Sequence, residues 1–254
     1  MKTAVVVPTL GVRIDLLDQS LRSIRESGNV HICVVAPGSF DYSGLKEAGL
    51  LDQFVIDPME GLPNAINKAF SELPQSVLYI SWLGDDDLLK VDSIELVEKV
   101  LDSNEHIDFV YGYCEYIDIN NRVIGINKSG KIARLILRFG PCLIPQPGSL
   151  IRRSAFDQIG GLNTGYKLAF DFDLFLNLNK NGKLKSVPFT LSSFRWHSDS
   201  LSVSSRLASV NEASRTRIEH LPIHVKSLAP IWEYPIKKMT YYAGIILNKR
   251  VILD

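Results

Sequence analysis

The stretch Val77-Leu78-Tyr79-Ile80-Ser81-Trp82-Leu83-Gly84-Asp85-Asp86-Asp87-Leu88-Leu89 decides how this chain is read. It opens with a β-favouring apolar run, then meets a Gly, then three consecutive carboxylates. An apolar run that stops in this way fits a buried strand carrying acids to the edge of a sheet. In open α/β sheets, ligands lie outside the carboxyl ends of the strands. Three adjacent carboxylates repel one another, and a hard divalent cation such as Mg²⁺ or Mn²⁺ relieves that repulsion. A plainer reading also fits: a solvated turn with Asp87 at the N-terminus of a helix over residues 88–101.

Upstream, strand and helix patterns alternate. Residues 4–7 are apolar and β-rich. Leu16, Leu17, Leu21 and Ile24 recur at helical spacing, with Gly28 as a stop. Residues 31–36 and 53–56 read as further strands, and residues 63–73 as a helix with Pro63 near its start. This alternation predicts an α/β fold whose central sheet is mostly parallel and flanked by helices.

Downstream, residues 91–101 read as a helix, and residues 109–119 and 122–126 as a hairpin around Asn120-Asn121. A short basic helix over 131–139 leads into a Pro-rich, irregular 141–147. Residues 149–151 form a strand, and Ser154 caps a short helix that ends at Gly160-Gly161. Residues 172–178 are too apolar to be exposed on all sides, which predicts a buried helix starting just after Asp171. Strands over 185–188 and 190–196 close the sheet, and from Ser205 onward the chain is helical. The reading divides the chain into residues 1–204 and a C-terminal extension, 205–254.

Composition bounds the function. The chain has 254 residues, 46% of them hydrophobic, enough for a large core. Lys+Arg and Asp+Glu balance at 28 each, so no global field favours nucleic acid. Cys33, Cys114 and Cys142 are too scattered for a disulfide framework or a zinc site and read as reduced, buried hydrophobes. Met1-Lys2-Thr3 runs straight into the first strand, so no signal peptide is expected, and no apolar run reaches the roughly 20 residues of a membrane helix. A cytoplasmic protein is the expectation.

Other residue groups can carry chemistry. Pro8-Thr9-Leu10 ends the first strand beside a Gly, and a hydroxyl with free backbone groups there can meet a nucleotide or simply make a turn. Asp171, in Phe170-Asp171-Phe172-Asp173, stands at the mouth of the buried helix, where it can accept a proton from a hydroxyl or cap the helix. Asp173, two residues on, lies on another side and reads as a structural acid. His197 follows a strand and can meet a metal or phosphate, although an ordinary polar contact is the commoner role. Gly-x-Ser-x-Gly, Gly-x-x-x-x-Gly-Lys-Ser/Thr and Gly-x-Gly-x-x-Gly are all absent, which argues against a hydrolase elbow, a P-loop and a dinucleotide fold.

Taken in order, these pieces resemble the family 2 glycosyltransferases with the GT-A fold, over about residues 2–202. The marks are Val5-Val6-Val7-Pro8-Thr9, Gly61-Leu62-Pro63-Asn64-Ala65-Ile66-Asn67-Lys68-Ala69, Trp82-Leu83-Gly84-Asp85-Asp86-Asp87-Leu88 and Val110-Tyr111-Gly112. Ile144-Pro145-Gln146-Pro147-Gly148-Ser149, Arg152-Arg153-Ser154, Gly160-Gly161-Leu162-Asn163, Asp171-Phe172-Asp173-Leu174 and Phe194-Arg195-Trp196-His197-Ser198-Asp199-Ser200 continue the series. The resemblance implies an inverting, metal-dependent hexosyltransferase of bacterial polysaccharide or O-antigen assembly. It would move a sugar from a nucleoside-diphosphate-sugar to a hydroxyl of a saccharide or lipid-linked acceptor.

By the same resemblance, Asp87 and His197 serve a Mn²⁺ or Mg²⁺ ion, and Asp171 deprotonates the acceptor. Pro8, Thr9, Asn64, Asp86, Gln146, Pro147 and Gly148 line the nucleotide-sugar site. Asp85 joins them, although the family often has a small residue there. One departure stands out. Relatives carry an acid after the second strand that reads the nucleobase, whereas this chain has Val35-Ala36-Pro37-Gly38-Ser39. The base would then be recognised by backbone groups or another side chain, which speaks against uridine specificity and leaves thymidine or guanosine donors open.

The extension mixes Arg206, Arg215, Arg217, Lys226, Lys237, Lys238, Lys249 and Arg250 with Trp232, Tyr234, Tyr241 and Tyr242. That mixture suits peripheral contact with the inner face of an anionic membrane. Ordinary helix packing or a homodimer contact suits it slightly better. Two further classes compete with the transferase: a non-catalytic GT-A-like binding module, and a nucleotidyltransferase, for which Gly11-Val12-Arg13 is a poor triphosphate loop.

Overall fold

The computed structural model describes residues 1–180, 183–197 and 205–252, with side chains through residue 246. One nine-stranded sheet organises it. The strands are β1 (Thr3–Pro8), β2 (Val30–Ala36), β3 (Gln53–Ile56), β4 (Tyr79–Trp82), β5 (Leu88–Leu89), β6 (Phe109–Ile117), β7 (Val123–Asn127), β8 (Leu150–Arg152) and β9 (Leu184–Arg195). Their order is β3-β2-β1-β4-β8-β6-β9-β5, with β7 on β6.

The first four strands in sequence are parallel neighbours. Parallel pairing needs crossovers, which α1 (Ile14–Glu26), α2 (Ser43–Glu47) and α3 (Leu62–Ser71) supply. Beyond β4 the sheet is mixed: β8 runs antiparallel to both β4 and β6, and β5 antiparallel to β9, while β6 and β9 are parallel.

Alternation along β1 divides the core into two layers. Val5 and Val7 face Leu17, Leu21 and Ile24 of α1, with Ile94, Val97 and Leu101 of α4 (Ser93–Asp102) in the same layer. Ala4 and Val6 belong to the opposite layer, with Ile66, Ala69 and Phe70 of α3. That layer continues through α5 (Gly130–Ile136) and α6 (Arg153–Gln158) to α7 (Phe170–Asn179). Six apolar residues of α7 are buried, so it is sunk in protein on almost all sides, as its composition predicts.

Several expectations change in detail. The proposed helix over 88–101 begins only at Ser93. Leu88 and Leu89 pair instead with Ser193 and Ser192 of β9, and that ladder holds the chain extended past Asp87. Asp87 is thus no helix cap; Asp92 holds that position in a left-handed conformation. The 109–126 hairpin forms as β6 and β7, with Asn121 at φ 64° and the Asp118 carboxylate accepting the Asn120 and Arg122 N–H groups, each at 2.8 Å. Ser154 lies inside α6, and Arg152 holds the N-cap position, because β8 leads directly into that helix. The two expected strands over 185–196 are one. β9 stays paired to β6 by shifting register between Tyr111↔Ser186 and Tyr113↔Thr190, a bulge that accommodates Pro188.

The C-terminal extension is helical, as expected: α8 (Arg206–His220), α9 (Ile223–Lys226) and α10 (Pro230–Ile252). It is fastened to the sheet domain by buried polar groups. Arg217 Nε and Nη2 bond the two carboxylate oxygens of Glu233 at 2.6 and 3.0 Å, and Arg217 Nη1 donates to the Gly140 carbonyl at 2.7 Å. His220 Nε2 lies 2.7 Å from Asp173 Oδ1. Among the described residues, no helix is long and apolar enough to cross a membrane.

Candidate active site

The acid cluster hangs from the carboxyl end of β4, beside that of β1. Thr9, just past β1, donates its hydroxyl to Asp85 Oδ2 at 2.6 Å and accepts the Gly11 N–H at 3.0 Å. Arg13, at the N-cap position of α1, spans two acids: Nη2 bonds Asp85, and Nη1 lies 2.6 Å from Asp86 Oδ2. His197 Nε2 approaches the same Asp86 oxygen at 2.8 Å. Asp87 Oδ1 accepts the Arg195 backbone N–H at 2.9 Å.

All three acids are buried. Burial raises the Asp85 carboxyl above its ordinary range, against the opposing pull of Thr9 and Arg13. Burial raises Asp87 well above its own, and the neighbouring Asp86 charge adds to the effect. This is the electrostatic condition in which a bound cation favours the ionised form.

The residues present fit a divalent ion. A Cβ on Gly84 would stand 2.8 Å from Asp86 Oδ1 and 3.0 Å from Asp87 Oδ2. Gly84 thus leaves a cradle beside two carboxylate oxygens that carry no hydrogen bond among the described residues. Hard oxygens suit Mg²⁺ or Mn²⁺, which typically take one or two carboxylates and complete their shell with substrate phosphate and water. Among the described residues, no group of three or more His, Cys, Asp or Glu side chains converges on one point. The protein's own share is therefore the two-carboxylate kind.

The Gln146–Ser149 segment is tied to the same sheet end. Gln146 Nε2 donates to the Trp82 carbonyl at 2.7 Å, and Ser192 Oγ donates to the Pro147 carbonyl at 2.7 Å. Gly148 has φ +76°, and a Cβ there would lie 2.9 Å from the Leu191 Cβ, so only Gly fits. Pro8 ends β1 opposite Val35. Asn64 lies elsewhere, in the first turn of α3, and bonds the Glu60 carbonyl at 2.9 Å rather than any of the acids. Ser198, Asp199 and Ser200 fall outside the described residues.

Asp171 lies in the first turn of α7, one residue after Phe170, whose ring packs 6.1 Å from that of Trp82 at the end of β4. Its Oδ1 accepts the Phe172 N–H at 2.7 Å. Burial pushes its carboxyl up to about 6, and the Glu212 charge adds to the rise. The side chain opens into a cavity of about 170 Å³ between α7, the 141–142 loop, α8 and α10. Asp173 turns away to His220 and to Asn177 Nδ2, the structural role expected for it.

Three polar residues at the site went unread in the sequence. Arg13 looked like part of a weak loop. Arg195 lies in a strand pattern, yet it is fully buried and bonds the Asp86 carbonyl through Nε at 2.7 Å. Glu212 accepts backbone N–H groups of Lys167 and Ala169 at 2.9 and 2.8 Å, and of Leu168, just ahead of the Asp171 helix. An Arg two residues before a site His, in period-2 register with it, was the one available signal.

This is a glycosyltransferase fold of the GT-A-like kind. S. aureus TarS (residues 1–349), solved in complex with UDP, superposes with a TM-score of 0.62 at 15% identity, over 90% of this chain and 69% of that one. A longer TarS structure gives 0.63 at 14% identity, and there the chain spans 54% of its length. The mannosyltransferase PcManGT from Pyrobaculum calidifontis, solved with GDP-Man and Mn²⁺, gives 0.64 at 13% identity, over 97% of this chain and 73% of that one. No protein-family model and no curated protein sequence matches the chain.

Proposed function

We propose that the protein is an inverting, metal-dependent glycosyltransferase that uses a nucleoside-diphosphate-sugar donor. The observation that carries this reading is the pair of Asp86 and Asp87 oxygens over Gly84 that carry no hydrogen bond among the described residues, at the carboxyl ends of the strands, where open α/β sheets bind ligands. Relatives of the same fold have been solved with UDP and with GDP-Man and Mn²⁺.

Each residue has a part. Asp86 and Asp87 hold the ion, Thr9 and Arg13 fix Asp85, and His197 and Arg13 orient Asp86. The ion, when bound, supplies Lewis-acid neutralisation of the departing diphosphate. Pro8, Thr9 and the Gln146–Ser149 segment shape the donor side. Asp171 takes the proton of the acceptor hydroxyl, whose oxygen bonds the anomeric carbon as the bond to the diphosphate breaks and its electron pair leaves with the nucleotide. A buried carboxyl near 6 is ionised at neutral pH yet basic enough to accept that proton. The 205–254 extension builds the acceptor side, and bacterial polysaccharide or O-antigen assembly is the proposed setting.

The test is release of nucleoside diphosphate from UDP-, dTDP- and GDP-sugars with Mn²⁺. Release from one base class, lost in Asp87→Ala, is the expected result. No release from any donor with any saccharide acceptor would remove the transferase reading.

A further inference from the structure

Two helices on one side of the molecule carry apolar rows that the described residues leave exposed. Along α10, Ile231, Tyr234, Tyr242 and Ile246 recur at helical spacing, and each is more than half exposed. On α5, Ile132 and Leu135 stand one turn apart and are 62% and 72% exposed. The helices meet at Phe139, just past α5, whose half-exposed ring lies 6.2 Å from that of Trp232 on α10. Single exposed apolar residues need no explanation, but two rows joined by an aromatic contact do.

The charge around these rows has one sign. Residues 119–156 contain no Asp or Glu, yet they include Lys128, Lys131 and Arg138, which make no ion pair among the described residues. Across 221–246 the sole acid is Glu233, which is buried and paired with Arg217 at 2.6 Å. Lys226, Lys237 and Lys238 are therefore left without a carboxylate in their own segment. Lys238 Nζ lies over the Tyr234 ring, 4.6 Å from its centroid, so cation and aromatic share one spot on the exposed row. The whole chain is neutral, so this positive charge is local.

That charge chooses the occupant. A second copy docked by a two-fold axis would set this patch against its own equal. The lysines would then face lysines, with no exposed acid in either segment to pair them. An anionic lipid surface suits the patch instead. Aliphatic tips and tyrosine rings enter the headgroup region, while lysine and arginine stems lie along it and carry their charges to lipid phosphates. No described helix is long and apolar enough to cross a membrane, so the contact is peripheral.

We infer that α5 and α10 dock the protein on an anionic lipid surface. Ile132, Leu135, Ile231 and Tyr234 enter the interface, and Lys131, Arg138 and Lys238 meet the phosphates. Lys237 and Thr240 of α10, and Pro141 and Cys142 just after Phe139, also line the Asp171 cavity. Docking would set that cavity beside the lipid, which suits a lipid-linked acceptor; this last step alone rests on the transferase reading.

The test is co-sedimentation of the full chain with vesicles of equimolar phosphatidylcholine and phosphatidylglycerol, and with vesicles of phosphatidylcholine alone. The anionic vesicles should bind at least about tenfold tighter, and the advantage should shrink between about 0.1 M and about 1 M salt. Lys131→Gln and Lys238→Gln should each weaken binding about fivefold. Leu135→Ser and Ile231→Ser should each weaken it about fivefold to tenfold. All four positions are exposed, so the fold should survive. Lys46→Gln and Leu78→Ser, exposed positions on other elements, should bind as the parent does.

No binding to either vesicle, equal binding to both, or binding that survives all four substitutions overturns the inference. A stable dimer in sedimentation equilibrium that Leu135→Ser or Ile231→Ser dissociates gives the face to a second copy and overturns it too. Donor turnover is scored separately, without vesicles. Turnover with no vesicle binding removes this inference alone, and vesicle binding with no turnover removes the transferase reading and leaves the docking surface in place.

Discussion

Arg13 Nη1 stands 2.6 Å from Asp86 Oδ2 and 3.3 Å from His197 Nε2, so one guanidinium touches two residues of the candidate donor site. With Asp85 on its other nitrogen, Arg13 is the protein's own counter-ion for the acid cluster. Removing it leaves two buried carboxylates with less compensation. Arg13→Gln should lose about 1–3 kcal/mol of stability. Mn²⁺ should then raise the melting temperature of the variant more than that of the parent, because the ion restores lost positive charge. Differential scanning calorimetry with and without Mn²⁺ checks both; equal metal shifts would remove Arg13 as the resident counter-ion.

Asp171→Asn keeps the shape of the cavity and removes the proposed base. Turnover should fall by about 10²–10⁴-fold while donor affinity stays within twofold or so. Unchanged turnover would mean that another group takes the proton.

The pH dependence follows from the same carboxyl. Its folded value, about 6, is raised above the ordinary 3.8, so the ionised carboxylate that the proposed base needs is lost as pH falls through about 6. The acid limb of kcat/KM should lie there. The stability effect has the opposite sense: a raised folded value makes this group's contribution full below 3.8 and lost as pH rises through about 6. Asp171→Asn should therefore flatten that part of the stability-versus-pH curve, measured by denaturant titration between pH 4 and pH 8 or so.

Glu212→Gln probes how the extension acts on the proposed base. Its carboxylate holds the N–H groups of Lys167, Leu168 and Ala169. Loss of the charge should cost about 1–2 kcal/mol. It should also move the acid limb to lower pH, since Glu212 helps to raise Asp171. A purely structural role would lower stability and leave the limb in place.

The pair Arg217 and Glu233 is nearly inaccessible and also bonds Ser214 and the Gly140 carbonyl. Truncating one partner strands a buried charge. Glu233→Ala should destabilise by about 3–5 kcal/mol. Equilibrium unfolding in urea measures it, and a loss below about 1 kcal/mol would mean that the helices are held by other contacts.

Legibility in the sequence followed range. Val5 and Val7 against Ala4 and Val6, the Leu17-Leu21-Ile24 stripe, the buried 172–178 helix and the Asn120-Asn121 hairpin were readable because period and turn chemistry are local. The start of α4 was not, because β5 exists only through its pairing with Ser192 and Ser193, about a hundred residues away. The acids could be read as a strand-end cluster. That Asp86 and Asp87 turn toward one cradle oxygens with no hydrogen bond among the described residues, while Asp86 also meets His197, depends on how the end of β4 is folded over Gly84. Arg13, Arg195 and Glu212 were missed for the same reason: each acts on a residue at least 43 positions away. The extension showed its basic and aromatic content, while the partners of Arg217 and His220 emerged only once α8 had packed on α7.

The Asp85-Asp86-Asp87 site is proposed to bind a nucleoside diphosphate together with a divalent ion. The most direct measurement is a thermal-shift panel of UDP, dTDP, GDP and CDP, each with and without Mn²⁺, since a ligand that binds only the folded chain raises its melting temperature by mass action. A shift for one base that requires Mn²⁺ and disappears in Asp87→Ala is the expected result. The absence of a shift with every nucleotide, or a shift indifferent to both Mn²⁺ and Asp87, would contradict it.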